Sequence, residues 1–165
     1  MSFLHLFGAP CGVPRFFLVL LWLLCLSIPS IAGDAIVVRL AGTDFRAAHD
    51  GLVEAIESEG LVVGSVLPFR AMLTRTSVDE SAIPYGEAEI VQFCSSVLAA
   101  ELVGEAAEQL TLCPLSIALY NLVDDLSAIR MAYRSPGHST AGRLHAESLL
   151  QRIVQRAAEL ARLRW

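Results

Sequence analysis

No lysine occurs anywhere in the 165 residues, and all twelve cationic side chains are arginine. That absence removes Schiff-base catalysis, a lysine general base and the lysine-bearing phosphate loop. Arginine binds and orients anions but does not readily surrender a proton. Cysteine is almost as scarce, at four residues, and aromatic residues make up 7% of the chain. Gly-x-Ser-x-Gly, His-Glu-x-x-His and glycine-rich phosphate motifs are all missing, which points away from an enzyme. No cofactor-binding motif is present either, so none is expected. The net charge is −5 with no dominant basic patch, so nucleic acid is not an expected partner.

What the chain does have is an export signal. Residues 1–14 carry no acid, Arg15 supplies a positive charge, and residues 16–26 (FFLVLLWLLCL) form an apolar run. The run falls well short of the roughly 20 residues a membrane span needs. Pro29 then breaks the helix, and Ser30 and Ala32 place small residues where a signal peptidase reads. The expected leader is 1–32, with cleavage after Ala32 or Gly33, and the product periplasmic or secreted. An uncleaved leader would tie the protein to the membrane through this segment alone. Cys11 and Cys25 lie in the leader, so Cys94 and Cys113 are the two thiols of the mature chain. Loss of Arg15 takes the net charge to −6.

Residues 33–165 are one domain by length. Residues 35–40 (AIVVRL) read as a strand. A helix capped by Thr43 or Asp44 follows to Glu59, with Phe45, Ala48, Leu52, Ala55 and Ile56 on its apolar face. Gly60 stands where a left-handed C-terminal cap is wanted. Strands are expected at 61–67, 87–94, 115–122 and 128–134, with a turn at 123–127 around Asp124 and Asp125. The segment 70–79 fits either a short helix or an edge strand, and 81–86 reads as loop. Ser95 or Ser96 caps a helix to Ala107. The last helix runs from about Thr140 to Leu163 with a stripe of Leu150, Ile153, Ala157 and Leu160. Several strands with helices on one face give an α+β fold: two layers with a mostly antiparallel sheet.

Three stretches carry a family resemblance: 90–96 (IVQFCSS), the helix holding 98–100 (LAA), and 112–120 (LCPLSIALY). With the Phe45-to-Gly60 helix and the Tyr133–Pro136 strand exit, they resemble domain-of-unknown-function family 302. The resemblance covers residue 35 to the C-terminus. It implies an α+β fold of TATA-box-protein-like, helix-grip-like type, a homodimer, and importance for Cys94 and Cys113. It implies no established activity.

The two cysteines admit three readings. Cys94 ends one strand and Cys113 precedes the next, so antiparallel pairing brings them together as a stabilising disulfide, as befits an exported protein. Alternatively they form a reactive redox pair, since Cys94 stands before a helix N-terminus that favours thiolate. Metal ligation lacks the third and fourth ligands of a zinc site, so no metal is expected. His49 reads as a half-buried packing residue, and His138 is a loop residue that shares no helical face with His145. Asp124 and Asp125 read as turn formers. Arg39, Arg130 and Arg134 alternate with apolar neighbours, and with helices on one face of the sheet some of them are expected on the other, alongside Glu87 and Glu89. Val91 and Phe93 share a face with Glu87 and Glu89. Together these five residues define an expected anion-binding or self-association face. The protein is thus read as a non-catalytic binding or accessory module for an unknown small ligand or protein partner, with thiol redox or sulfur handling as the alternative.

Overall fold

The computed structural model describes residues 35–164; the expected export leader lies outside them. Five strands, β1 (Ala35–Leu40), β2 (Val62–Leu67), β3 (Tyr85–Cys94), β4 (Leu115–Leu122) and β5 (Asp125–Arg134), form one sheet in the order β1-β5-β4-β3-β2. Every neighbouring pair is antiparallel. Four α-helices are interspersed: α1 (Phe45–Ser58), α2 (Phe69–Thr76), α3 (Ser96–Glu105) and α4 (Ala141–Leu163). The α+β expectation holds.

Local chemistry sets the boundaries. Asp44 caps α1, its carboxylate accepting from the Ala47 amide at 2.7 Å, and Gly60 takes the left-handed conformation at φ 74°. Ser95 caps α3 and Thr140 caps α4. Glu105 adds a carboxylate to the start of α4, accepting from the Gly142 amide at 2.7 Å. That places negative charge against the positive end of the helix dipole. Bonds from Thr140, Gly142 and Gln109 hold the Glu105 carboxyl below its ordinary range.

Several expected boundaries move. The ambiguous 70–79 segment is helical as far as Thr76, and the expected loop at 81–86 holds part of a short 3-10 turn, Glu80–Ala82, and the first residues of β3. The helix expected to reach Ala107 stops at Glu105 and gives way to a 3-10 segment, Ala107–Leu112. The hairpin is tighter than expected: Leu122 pairs with Asp125, so Val123 and Asp124 alone make the turn.

The core lies between the sheet and the α1–α4 pair. Leu52, Ile56, Leu150 and Ile153 from the helices meet Val91, Phe93, Ile117, Leu119, Ile129 and Met131 from the sheet. Gly51 lets the two helices close up. A Cβ there would stand 3.0 Å from the Ala157 carbonyl oxygen and from the Ala161 amide. The stripe predicted for α4, Leu150, Ile153, Ala157 and Leu160, is buried throughout.

This packing corrects the expected association face. Val91 and Phe93 do share a face with Glu89, but it is the helix-covered face, and both are fully buried at 0% and 1% exposure. Glu89 confirms the side: its carboxylate pairs with His49 of α1. The arginines occupy the other face. Alternation had grouped residues correctly along each strand but could not say which group turned inward.

Candidate functional site

The sheet face left uncovered by α1 and α4 is built by register. Gln92 stands opposite Ser116, Ile90 opposite Ala118, and Ala118 opposite Ala132. Ala132 pairs with Val37, and Arg134 with Ala35. These small and apolar side chains make a shallow floor. At one end the aromatic residues gather: Phe69 of α2 meets Tyr85 edge to face, and Tyr85 meets Tyr120 the same way.

The three predicted arginines do not act alike. Arg39 and Arg130 are directly paired across β1 and β5, and the single Asp125 carboxylate bridges both, at 2.7 and 2.9 Å. Desolvation works to raise the Asp125 pKa, but the Ser127 hydroxyl and the two guanidiniums outweigh it and hold the carboxyl below its ordinary range. Asp125, read as a turn former, is therefore the anion that occupies this arginine pair. Arg134 is different. It is exposed and makes no ion pair with any described residue.

Arg134 stands at a cavity of about 440 Å³. Ile90, Ala118 and Ala132 give it an apolar floor, and Leu112, Pro114 and Pro136 wall it from the adjoining loops. Beneath its rim lies a polar cluster. Glu147, 3% exposed on α4, accepts from the Tyr133 hydroxyl at 2.9 Å, the Ser135 hydroxyl at 2.6 Å and the Gln151 amide at 3.2 Å. The Ser135 oxygen in turn accepts from the Gly137 amide at 3.1 Å, where the chain turns at φ 85°. Glu147 thus ties down the residues on both sides of Arg134. Sequence reasoning passed over it. Its one signal was a carboxylate placed a turn before Leu150 on the apolar face of α4.

Burial and the Glu147 carboxylate push the Tyr133 hydroxyl up from 10.0 to about 12. Because the folded pKa is raised, the associated stability is fully present below about pH 10 and is lost as pH climbs through about 12. Tyr133→Phe should remove a phenolate absorbance step near pH 12. By taking one donor from a buried carboxylate it should also cost about 1–3 kcal/mol at neutral pH, read by denaturant unfolding. A wild-type spectrum in which every tyrosine ionises around the ordinary value of about 10, with no later step, would contradict the buried bond.

The predicted cysteines come together at the same end of the sheet. Phe93 pairs with Leu115, so Cys94, next on β3, lies beside the Cys113–Pro114 step leading into β4. Both are free thiols in the structure, Cys94 exposed and Cys113 half-buried, and the Cys113–Pro114 peptide is cis. Burial first, then the neighbouring Cys94, push the Cys113 thiol pKa up. Cys113 also sits between Leu112 and Pro114, two of the cavity walls.

The histidines are dispersed. His49 is half-buried against Glu89, His145 bonds the Glu101 carboxylate at 2.8 Å on the surface, and His138 lies in the loop before α4. Among the described residues no group of three His, Cys, Asp or Glu side chains converges as a metal site would require.

Comparison with known proteins agrees with this fold. The crystal structure of an uncharacterized conserved protein DUF302 from Bacillus stearothermophilus superposes with a TM-score of 0.54 at 16% identity, covering 77% of this chain and 94% of that one. At that identity the likeness speaks for the fold. No curated protein matches the chain. The family profile of the domain of unknown function DUF302 matches residues 36–162, which is nearly the whole described structure, and the chain belongs to that family.

Proposed function

We propose that the chain is an exported, non-catalytic binding module whose cavity takes a small anion with an apolar body, anchored by Arg134. The observation that carries this reading is the Arg134 guanidinium beside an apolar cavity, without an ion pair among the described residues, while Arg39 and Arg130 share Asp125. An apolar pocket with a few fixed polar groups is the usual form of a small-molecule site. The volume suits a medium-chain carboxylate, whose head group would meet the arginine fork and whose tail would lie on Ile90, Ala118 and Ala132. The Glu147 cluster preorganises the anchor by fixing Tyr133 and Ser135 on either side of it.

Calorimetric titration of the mature protein with medium-chain carboxylates tests the reading. Arg134→Ala should weaken binding tenfold or more, the scale of a charge-assisted hydrogen bond. Arg134→Lys should recover only part of it, because lysine lacks the planar fork. Equal affinity in wild type and Arg134→Ala, or no carboxylate binding by wild type, would reject it.

One observation favours a second reading. Cys94 is exposed and close enough to Cys113 for the two thiols to affect each other, as a thiol redox pair requires. In that reading the cavity beside Cys113 holds the sulfur-bearing substrate or the thiol partner.

A further inference from the structure

Two rows of side chains cross the open sheet face side by side. The first is apolar: Val37, Ala132, Ala118, Ile90 and Leu67 stand in register across all five strands. The next row, two residues along each strand, is polar. Ser65 is opposite Gln92, and Gln92 is opposite Ser116. Ser116 and Arg134 lie two residues outside the Ala118–Ala132 pair, on the same face, and both line the cavity. The order across the sheet is therefore carboxamide, hydroxyl, guanidinium, with no acidic residue in either row. The Ser65 hydroxyl donates to the Gln92 Oε1 at 2.8 Å. That bond engages the acceptor side of the amide and leaves its NH2 group to donate. Ser116 is exposed, and its hydroxyl can rotate toward an incoming acceptor.

A simple alkyl carboxylate uses one end of this polar row. Its two oxygens share one carbon and meet the arginine fork together. Ser116 and Gln92 stand on the next strands, each about 4.8 Å further across the sheet, where a plain hydrocarbon tail would cover them without offering a partner. We propose, resting on the Arg134 cavity as the binding site, that the ligand is an N-acyl amino acid. Its carboxylate meets Arg134, its amide carbonyl lies between the Ser116 hydroxyl and the Gln92 NH2, and its acyl chain runs onto Ile90 and Ala118. The chemistry of the row selects this class. Two neighbouring donors call for one acceptor with two lone pairs, which a carbonyl oxygen supplies. In an N-acyl amino acid that oxygen is set one residue's length from the carboxylate, about 3.3–3.6 Å of chain, so it reaches the adjacent strand when the acid sits on Arg134. The lone cation of the row also matches the single negative charge of such a ligand.

Calorimetric titration of the mature protein with N-octanoylglycine and with undecanoate, its all-carbon counterpart of equal chain length, tests the proposal. Wild type should bind N-octanoylglycine about tenfold tighter, the scale of two neutral hydrogen bonds. Ser116→Ala and Gln92→Leu should each weaken N-octanoylglycine several-fold while leaving undecanoate within about twofold of wild type. Arg134→Ala should weaken both ligands alike. Ser116 is exposed and Gln92 half-buried on the open face, so melting curves should show both variants folded, and the wild-type comparison of the two ligands does not depend on them. Undecanoate bound as tightly as N-octanoylglycine, with Arg134 needed for both, overturns the acyl amino acid and leaves the Arg134 site standing. A preference for N-octanoylglycine that survives both substitutions also overturns it, because the amide would then be read elsewhere. If wild type binds neither ligand, the cavity reading falls and this inference falls with it.

Discussion

Ile153→Asp is expected to abolish the folded domain. Ile153 is fully buried at the centre of α4, inside the cluster that joins both long helices to the sheet. Aspartate would bring a carboxylate into that cluster with no cation or donor to receive it. Burying an unpaired charge costs several kcal/mol, on top of the roughly 1.5–3 kcal/mol of apolar burial given up. A domain of this size has only about 5–15 kcal/mol in hand. Ile153→Leu keeps volume and polarity, so its cost should stay under about 1.5 kcal/mol. Thermal melts followed by circular dichroism separate the two. An Asp variant melting within a degree or so of wild type would show that α4 is peripheral to the fold, against its burial.

That contrast shows what the sequence made legible. Periodicity alone placed α1 and α4, because each carries an apolar stripe over three turns or more and a capping side chain at its start. The strand ends were harder. Tyr85 and Gly86 look like loop because Pro84 and Gly86 punctuate the run, yet they join β3 through pairing with β4 that no local signal reports. Asp125 reads as a turn residue, yet it pairs with Leu122 as the first residue of β5, and its carboxylate meets guanidiniums from β1 and β5. The face assignment failed for a related reason. A strand with Glu87 and Glu89 on one side seems to show its wet face, but Glu89 is satisfied internally by His49, so it does not mark solvent.

The candidate site was legible in part. Arg134 was readable as a residue on the open face, but its distinction from Arg39 and Arg130 depends on Asp125 reaching those two and not the third. Glu147 was invisible as a functional residue, since its three partners come from β5, the loop after it and the next turn of α4. Its consequence is local stiffness around Arg134, which an exposed arginine would otherwise lack. A binding site built on strands and supported by a buried carboxylate loses less entropy when a ligand arrives.

The cysteines carry the remaining large effect. Neighbouring antiparallel strands hold opposed Cα atoms about 4.5–5.5 Å apart, inside the roughly 7 Å that a disulfide tolerates. Cys94 and Cys113 are one step from direct opposition, and their thiols are near enough to affect each other. In an oxidising compartment the mature protein is expected to show no free thiol under denaturing conditions until reductant is added. Closing the loop from 94 to 113, about twenty residues, should stabilise the domain by about 3 kcal/mol, and the double Cys→Ser variant should lose a comparable amount in denaturant unfolding. In the reduced protein, the exposed Cys94 should alkylate ahead of Cys113, whose burial raises its thiol pKa and lowers its thiolate fraction. The reduction potential then separates the two roles. A structural bond resists reduction at a glutathione poise, whereas a working redox pair opens there. Two free thiols in the freshly exported protein would remove the structural staple. Unchanged stability of the double variant, together with lost thiol exchange, would move the function from the Arg134 cavity to the sulfur pair.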